Sequence, residues 1–198
     1  MARKRKVIVL VTVLAGWVII VGFGLRMLLL YAQTPGHLAS PPSNWPMDSP
    51  VRLARGRMSL LIFTHPKCPC SRASLGELAL ILARCHNQVE ATVFVYRSQT
   101  APRDWEKTDI WQTAAMIPGV RVLADSEAAA ARRFGAHVSG QVLLYDADGH
   151  LVFNGGITAF RGHAGDNDGR DAVVAILRNE SPQHRTTPVF GCALYGEE

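Results

Sequence analysis

The sequence predicts an α/β domain on a mixed sheet covered by helices on both faces, preceded by one N-terminal transmembrane helix. Three observations carry this. A basic cluster is followed by a long apolar run, short apolar runs then alternate with helical stretches, and a hairpin signal precedes the last helix.

At 198 residues, 48% of them apolar, the chain has room for one ordinary domain plus extensions. The formal net charge is +5, of which Arg3, Lys4, Arg5 and Lys6 supply four. Without them the remainder is +1, too little for a nucleic-acid footprint, so no nucleic-acid partner is expected. In Val7–Leu25 only Thr12 is neither apolar nor glycine. At about 1.5 Å per residue this run extends roughly 28 Å, close to the hydrocarbon thickness of a bilayer. It is long for a signal-peptide core, and "LLLYAQ" after it offers no small-x-small cleavage site. The reading is an uncleaved signal anchor over 7–31, with residues 1–6 as a cytoplasmic basic tail and the domain extracytoplasmic, periplasmic in a bacterium. The membrane is then a partner through this helix alone.

Residues 32–50 are rich in Pro and Ser and lack periodicity, which predicts a linker reaching up to roughly 55 Å if polyproline-like. The domain is expected over 51–181. Met58–Phe63 reads as a strand buried on both faces. Pro69–Cys85 reads as a helix with Leu75, Leu78, Leu82 and Cys85 on one stripe, which makes Cys85 a buried small hydrophobe. Ala91–Tyr96 is a second strand, Arg103–Ile117 a helix and Gly119–Asp125 a third strand. A short Ala-rich helix follows, with Asp125 or Ser126 as cap and Gly135 as its stop. Gln141–Asp146 and His150–Gly156 form a hairpin about Asp148-Gly149, and Asp168–Glu180 is a helix capped by Asp168. The tail, 182–198, carries Cys192.

The chemistry is concentrated in "FTHPKCPCSR", Phe63 to Arg72. A strand ending at Phe63 and a helix beginning at Cys68 put that sulfur at a helix N-terminus, where unpaired N–H groups and the positive dipole end favour a thiolate. Pro69 takes the first helical position, where its missing N–H costs nothing. Exposure at such a junction would let Cys68 meet another protein's disulfide. Cys70 lies in the same first turn, and Cys192 joins the pair if "TTPVFGCAL" folds back. His65 is close enough in sequence to lower the Cys68 pKa or accept its proton.

Here the sequence resembles the thioredoxin-like superfamily over roughly Arg57 to Glu180. An aromatic residue ends the strand five positions before the first cysteine, and "FGAHVSGQVLLYDADGHLVFNGG" looks like that family's helix end, bend and hairpin. The resemblance implies a thioredoxin-like three-layer fold. It also implies a resolving cysteine at position 71, which is Ser71, and a cis-proline at position 140, which is Gly140; glycine there would leave the flank of the active sulfur open. More narrowly, "CPCSRAS", "GGITAFRGHAGDN" and "TPVFGC" resemble the membrane-anchored RedB proteins. In the thioredoxin arrangement the corner after the last strand lies beside the active cysteine. Gly155, Gly156, Arg161 and His163 are then expected to hold a partner's chain or an anionic group.

Two functions follow. One is a thiol-disulfide oxidoreductase acting through Cys68, with Cys70 or Cys192 as resolving thiol, a thiol- or disulfide-containing protein as partner and no cofactor. The other is a Cu(I) carrier using Cys68, Cys70 and Cys192 with a histidine, His65 or His137, since soft thiolates suit Cu(I). Other classes fall away. Position twelve of a calcium loop begun at Asp166 is Leu177 where Glu is needed, and no G-x-S-x-G, P-loop or dinucleotide fingerprint occurs.

Overall fold

The computed structural model describes residues 2–37, 40–85 and 87–196. The chain divides into two units, Met1–Thr34 and Pro35–Glu198. The first is α1 (Ala2–Gln33), the one helix among the described residues long and apolar enough to cross a membrane. Thr12 returns its hydroxyl to the Ile8 carbonyl at 3.0 Å, which satisfies the polar group within the apolar run.

The second unit contains β1 (Met58–Thr64), α2 (Cys70–Cys85), β2 (Val89–Arg97), α3 (Asp109–Met116), β3 (Val120–Ser126), α4 (Ala129–Arg133), β4 (Gln141–Tyr145), β5 (Leu151–Gly155) and α5 (Asp168–Leu177). The five strands lie in the order β3-β2-β1-β4-β5. β1, β2 and β3 are parallel, Ile62 opposing Val93 and Val93 opposing Val122. β4 runs antiparallel to both β1 and β5. A parallel βαβ unit joined to an antiparallel hairpin and a closing helix is the thioredoxin-like fold, extended here by β3 at one edge.

The central strand reads as an unbroken apolar run because it is buried on both faces. Leu60 and Ile62 enter a cluster with Leu75, Leu78 and Ile81 of α2 and Val173 and Leu177 of α5. Leu61 and Phe63 enter a second cluster with Phe94, Phe134 and Tyr145. Phe63 stacks on Phe94 at 5.1 Å. Cys85 is buried in the first cluster at the end of its stripe.

Several boundaries depart from expectation, each for a local reason. α2 begins at Cys70, not Cys68, because the preceding residues close tighter turns: the Cys68 N–H donates to the His65 carbonyl at 3.0 Å and the Ser71 N–H to the Cys68 carbonyl at 3.1 Å. Residues 103–108 form turns, and α3 starts only at Asp109. Thr108, just before it, donates its hydroxyl to the Pro66 carbonyl at 2.9 Å and so ties this corner to the cysteine loop. Asp125 does accept from the first turn of α4, at Ala130 and Ala131. It does so from further back than a cap residue, because Glu127 and Ala128 take left-handed backbone between them. α5 is capped by Asn167, whose side-chain oxygen accepts from the Arg170 N–H at 2.8 Å, and not by Asp168.

The largest difference is the Pro/Ser-rich stretch expected as a linker. Tyr145 donates its hydroxyl to the Pro42 carbonyl, and the Leu151 N–H bonds the Ser43 carbonyl. The Trp45 N–H bonds the Gly149 carbonyl, and the Trp45 ring packs edge-on against Phe134 at 5.1 Å and Tyr145 at 5.2 Å. These residues cover the hairpin, and the compact unit begins at Pro35. A chain held by backbone bonds and one indole has no periodicity to betray it, and a stretch fixed in this way does not supply the long reach expected of it.

Candidate functional site

The site forms where β1 ends. Cys68 follows the turn after Thr64 and is 1% exposed, so the solvent-facing thiol that the sequence suggests is not what the fold presents. Its neighbours come from three places. Ser71 is in the first turn of α2, Ser139 lies just before β4, and Cys192 arrives from the C-terminal tail.

Ser139 organises the junction. Its side-chain oxygen accepts from the His65 N–H at 2.8 Å and shares a hydrogen bond with the Ser71 hydroxyl at 2.7 Å. Its own N–H donates to the Cys192 carbonyl at 2.8 Å. Gly140, next in sequence, donates its N–H to the Phe63 carbonyl at 2.7 Å and has φ +95°, a conformation that favours glycine. A Cβ at Gly140 would press on Ser74 Oγ at 2.9 Å. The flank expected to be open is therefore closed, by Ser74 on one side and by Ser139 with the tail on the other.

The tail reaches this place by pairing twice. Thr186 bridges Asn154 of β5 in parallel, and the Thr187 hydroxyl donates to the Gly156 carbonyl at 2.7 Å. Ala193 then bridges Val138 antiparallel, and the Leu194 N–H donates to the His137 carbonyl at 2.9 Å. Leu194 is buried beside Phe134 in the second cluster, which anchors the end of the strap.

The electrostatics separate the three thiols. Burial alone would push Cys68 up. The Cys192 N–H, the Cys192 thiol and the hydroxyl pair of Ser139 and Ser71, which has one proton left after the bond between them, outweigh it and bring Cys68 down to about 7. Burial and then the negative charge on Cys68 push the Cys70 thiol up, against the pull of Arg161. Burial and the hydrogen bond to Cys68 push Cys192 up to about 11. A single thiolate with two protonated neighbours is the state these shifts select near neutrality. Cys68 is thus the most readily ionised of the three, and the thiolate is the reactive form of a thiol. Titrated by ultraviolet thiolate absorbance in the reduced protein, Cys68 should ionise with a midpoint near 7, where an ordinary thiol needs about 8.5. Its reactivity should fall about tenfold per pH unit below that midpoint. Ser139→Ala removes a donor to the thiolate and should move the midpoint upward.

The other expected site residues divide. Arg161 belongs to the centre: its Nη1 donates to the Gly191 carbonyl at 2.6 Å, and its charge acts on both Cys70 and Cys192. His65 touches the centre through its backbone only. Its ring stacks on Tyr96 at 5.4 Å, Nδ1 accepts from the Lys67 N–H, and burial with the Lys67 charge lowers its pKa, so the imidazole is neutral. The donors that lower Cys68 are instead the two serines and the tail. Gly155 and Gly156 hold this chain's own tail: a Cβ on Gly155 would strike Thr187, and one on Gly156 the Pro188 carbonyl. Gly155→Val should therefore loosen the tail and destabilise the protein, read as a lower thermal midpoint. His163 is exposed against Phe160. His137 tilts over Tyr195 at 5.1 Å. Among the described residues the three ligand-type groups that lie within 4.8 Å of one another are Asp146, Asp148 and His150.

Sequence reading missed Ser139, Glu77 and Arg170. Ser139 had one available signal, its place immediately before the position where the resemblance expects proline. The last two form a buried ion pair at 2.9 Å. Glu77 also accepts from the Gly165 N–H at 2.7 Å, which fixes the loop between β5 and α5 that carries Arg161.

No protein-family model matches the chain, and no curated protein does. Solved structures do. A hypothetical protein from Sinorhizobium meliloti superposes with a TM-score of 0.58 at 21% identity, over 81% of this chain and 93% of its own. An uncharacterised conserved protein from Geobacillus kaustophilus gives 0.60 at 18% identity, over 83% and 93%. A looser match, at 0.46 and 19% identity over 63% and 86%, is an exposed lipoprotein thioredoxin from Streptococcus pneumoniae. The first two likenesses extend the shared fold over most of both chains.

Proposed function

We propose that this chain is a membrane-anchored thiol-disulfide oxidoreductase of thioredoxin-like type, in the manner the RedB resemblance implies, working without a bound cofactor on a thiol- or disulfide-containing protein. The observation that carries this is the buried Cys68 at the end of β1 with Cys70 in the first turn of α2 and Cys192 brought to it by the tail, and the donors that converge on Cys68 lower its pKa. The Cys68 thiolate attacks a sulfur of the partner's disulfide. A Cys68–partner bond forms, the partner's S–S bond breaks, and its other sulfur leaves as a thiolate and takes a proton. Cys70 or Cys192, on losing its proton, attacks Cys68 and expels the partner's first sulfur. The partner gains two electrons and this chain keeps one internal disulfide. The reverse sequence donates that disulfide. The basic residues Arg3–Lys6 hold the N-terminus in the cytoplasm and place the domain outside, where disulfides persist.

The test uses the reduced full-length chain in detergent micelles with a disulfide-bonded model peptide at pH 7.5. Two peptide thiols should appear for each internal disulfide formed in the protein. A mixture that yields no peptide thiol while the protein thiols remain titratable contradicts the reading.

The Cu(I) alternative draws on the same three sulfurs with His137. His137, which would supply the imidazole, lies with its ring 5.1 Å from that of Tyr195. Loss of Cu(I) from the reduced chain to a modest competitor would remove this alternative.

A further inference from the structure

The tail raises a question that its cysteine alone does not. Residues 192–194 lie against 137–139 through one antiparallel bridge: Ser139 donates to the Cys192 carbonyl, Leu194 donates to the His137 carbonyl, and Ala193 pairs with Val138. The bridge brings a thiol against Cys68, which is 1% exposed. A protein disulfide attacked by Cys68 must put its own sulfur where the Cys192 thiol lies, and a backbone edge satisfied by one strand has no second set of groups for another. Tail and partner therefore exclude each other.

We propose that the tail is a strap standing in for the partner, and that an extended, cysteine-containing segment of the partner protein displaces it from the 137–139 edge by strand addition. This deepens the oxidoreductase reading and rests on it. Strand addition draws its affinity from backbone bonds and its selectivity from alternate side chains, and the strap shows what the edge accepts. A Cβ at Gly191 would overlap the Ser139 carbonyl, so the residue before the cysteine must be glycine. Ala193 is exposed and free to vary. Leu194 is 3% exposed, so an aliphatic side chain two residues after the cysteine is favoured. Phe190, 9% exposed, packs on Phe160 at 6.2 Å, which favours an aromatic two residues before it. The partner segment reads aromatic-Gly-Cys-x-aliphatic.

The proposal also assigns the resolving thiol. With the partner docked, Cys192 is away from Cys68, while Cys70 remains in the first turn of α2. Cys70, deprotonated, attacks Cys68; the Cys68–Cys70 bond forms, the Cys68–partner bond breaks, and the partner's sulfur leaves as a thiolate and is protonated. The strap then returns.

Two variants open the strap: a chain ending at Pro188, and full-length Gly191→Val, which alters no residue of 58–177 in sequence. Cys68 alkylation by neutral iodoacetamide is followed by mass spectrometry at the high-pH plateau, so that changes in its ionisation do not enter. Both variants should react at least tenfold faster than the unaltered chain. A synthetic peptide of residues 187–196 with Cys192→Ser should bind the shortened chain and slow its alkylation again. The same peptide with Gly191→Val should do neither. Plateau rates within twofold of the unaltered chain, or no binding of the glycine peptide, overturn the proposal. Should the shortened chain not fold, hydrogen exchange in the unaltered protein decides. The Ser139 and Leu194 amides should exchange together and faster than those of β1; exchange only at the β1 rate overturns the strap. None of these readouts involves disulfide exchange. A chain that opens but never exchanges disulfides refutes the oxidoreductase reading alone, and an active chain whose tail stays closed refutes the strap alone.

Discussion

Cys68→Ser is expected to abolish thiol-disulfide exchange, with a loss of roughly 10³-fold or more, while leaving the fold intact. A serine hydroxyl fits the same cradle of Ser71, Ser139 and the Cys192 N–H, but it does not ionise near neutrality and forms no mixed disulfide. Cys70→Ser should behave differently. It keeps the attacking sulfur, so with Cys70 as the resolving thiol, as the strap assigns, exchange should stop after the first half and a Cys68–peptide adduct should accumulate to near stoichiometry; turnover that continues assigns resolution to Cys192. Non-reducing electrophoresis and intact mass distinguish the two outcomes. If Cys68→Ser retains activity within tenfold, Cys68 is not the attacking sulfur.

The second large effect is on stability. Glu77 and Arg170 have side chains 2% and 6% exposed, and they pair at 2.9 Å. Asp166, Glu77 and Asp171 together raise the Arg170 pKa, with Asp166 contributing most. Glu77→Ala leaves the guanidinium buried with its inner partner gone and the Gly165 N–H without its acceptor. Breaking one side of a buried pair costs about 3–5 kcal/mol, a large share of the ~5–15 kcal/mol that holds a domain. The exposed Asp166 keeps the expected loss at the lower end. The double change Glu77→Leu/Arg170→Leu removes both charges and should recover most of it. Denaturant midpoints of the three proteins test this. A Glu77→Ala midpoint equal to that of the unaltered chain would mean that water or Asp166 fully replaces the buried partner.

The same pair explains why part of the molecule was legible in the sequence and part was not. Leu75, Leu78, Leu82 and Cys85 announce a buried stripe through spacing alone, and the Phe63 strand through its unbroken apolar run. Glu77 lies on the buried side of α2 with them, but its partner is 93 positions away in sequence, and no local pattern links the two. Cys68 and Cys70 were visible because their spacing sits in a strand-turn-helix context. The tail's return was visible only as a possibility in "TTPVFGCAL". The bridge it forms is fixed by bonds to His137 and Ser139, neither of which carries a periodic signal. The packed stretch around Trp45 is hidden for the same reason, since Pro and Ser describe a backbone without describing what the backbone touches.

Redox equilibrium with disulfide mapping tests the central claim most directly. The full-length chain in micelles is equilibrated across a glutathione series with chelator present, its thiols are trapped, and its disulfides are assigned by mass spectrometry. A single two-electron transition is expected, in which Cys68 pairs with Cys70 or Cys192 while Cys85 stays a thiol. Cys68 remaining free across the whole series, or becoming over-oxidised without pairing, would contradict it.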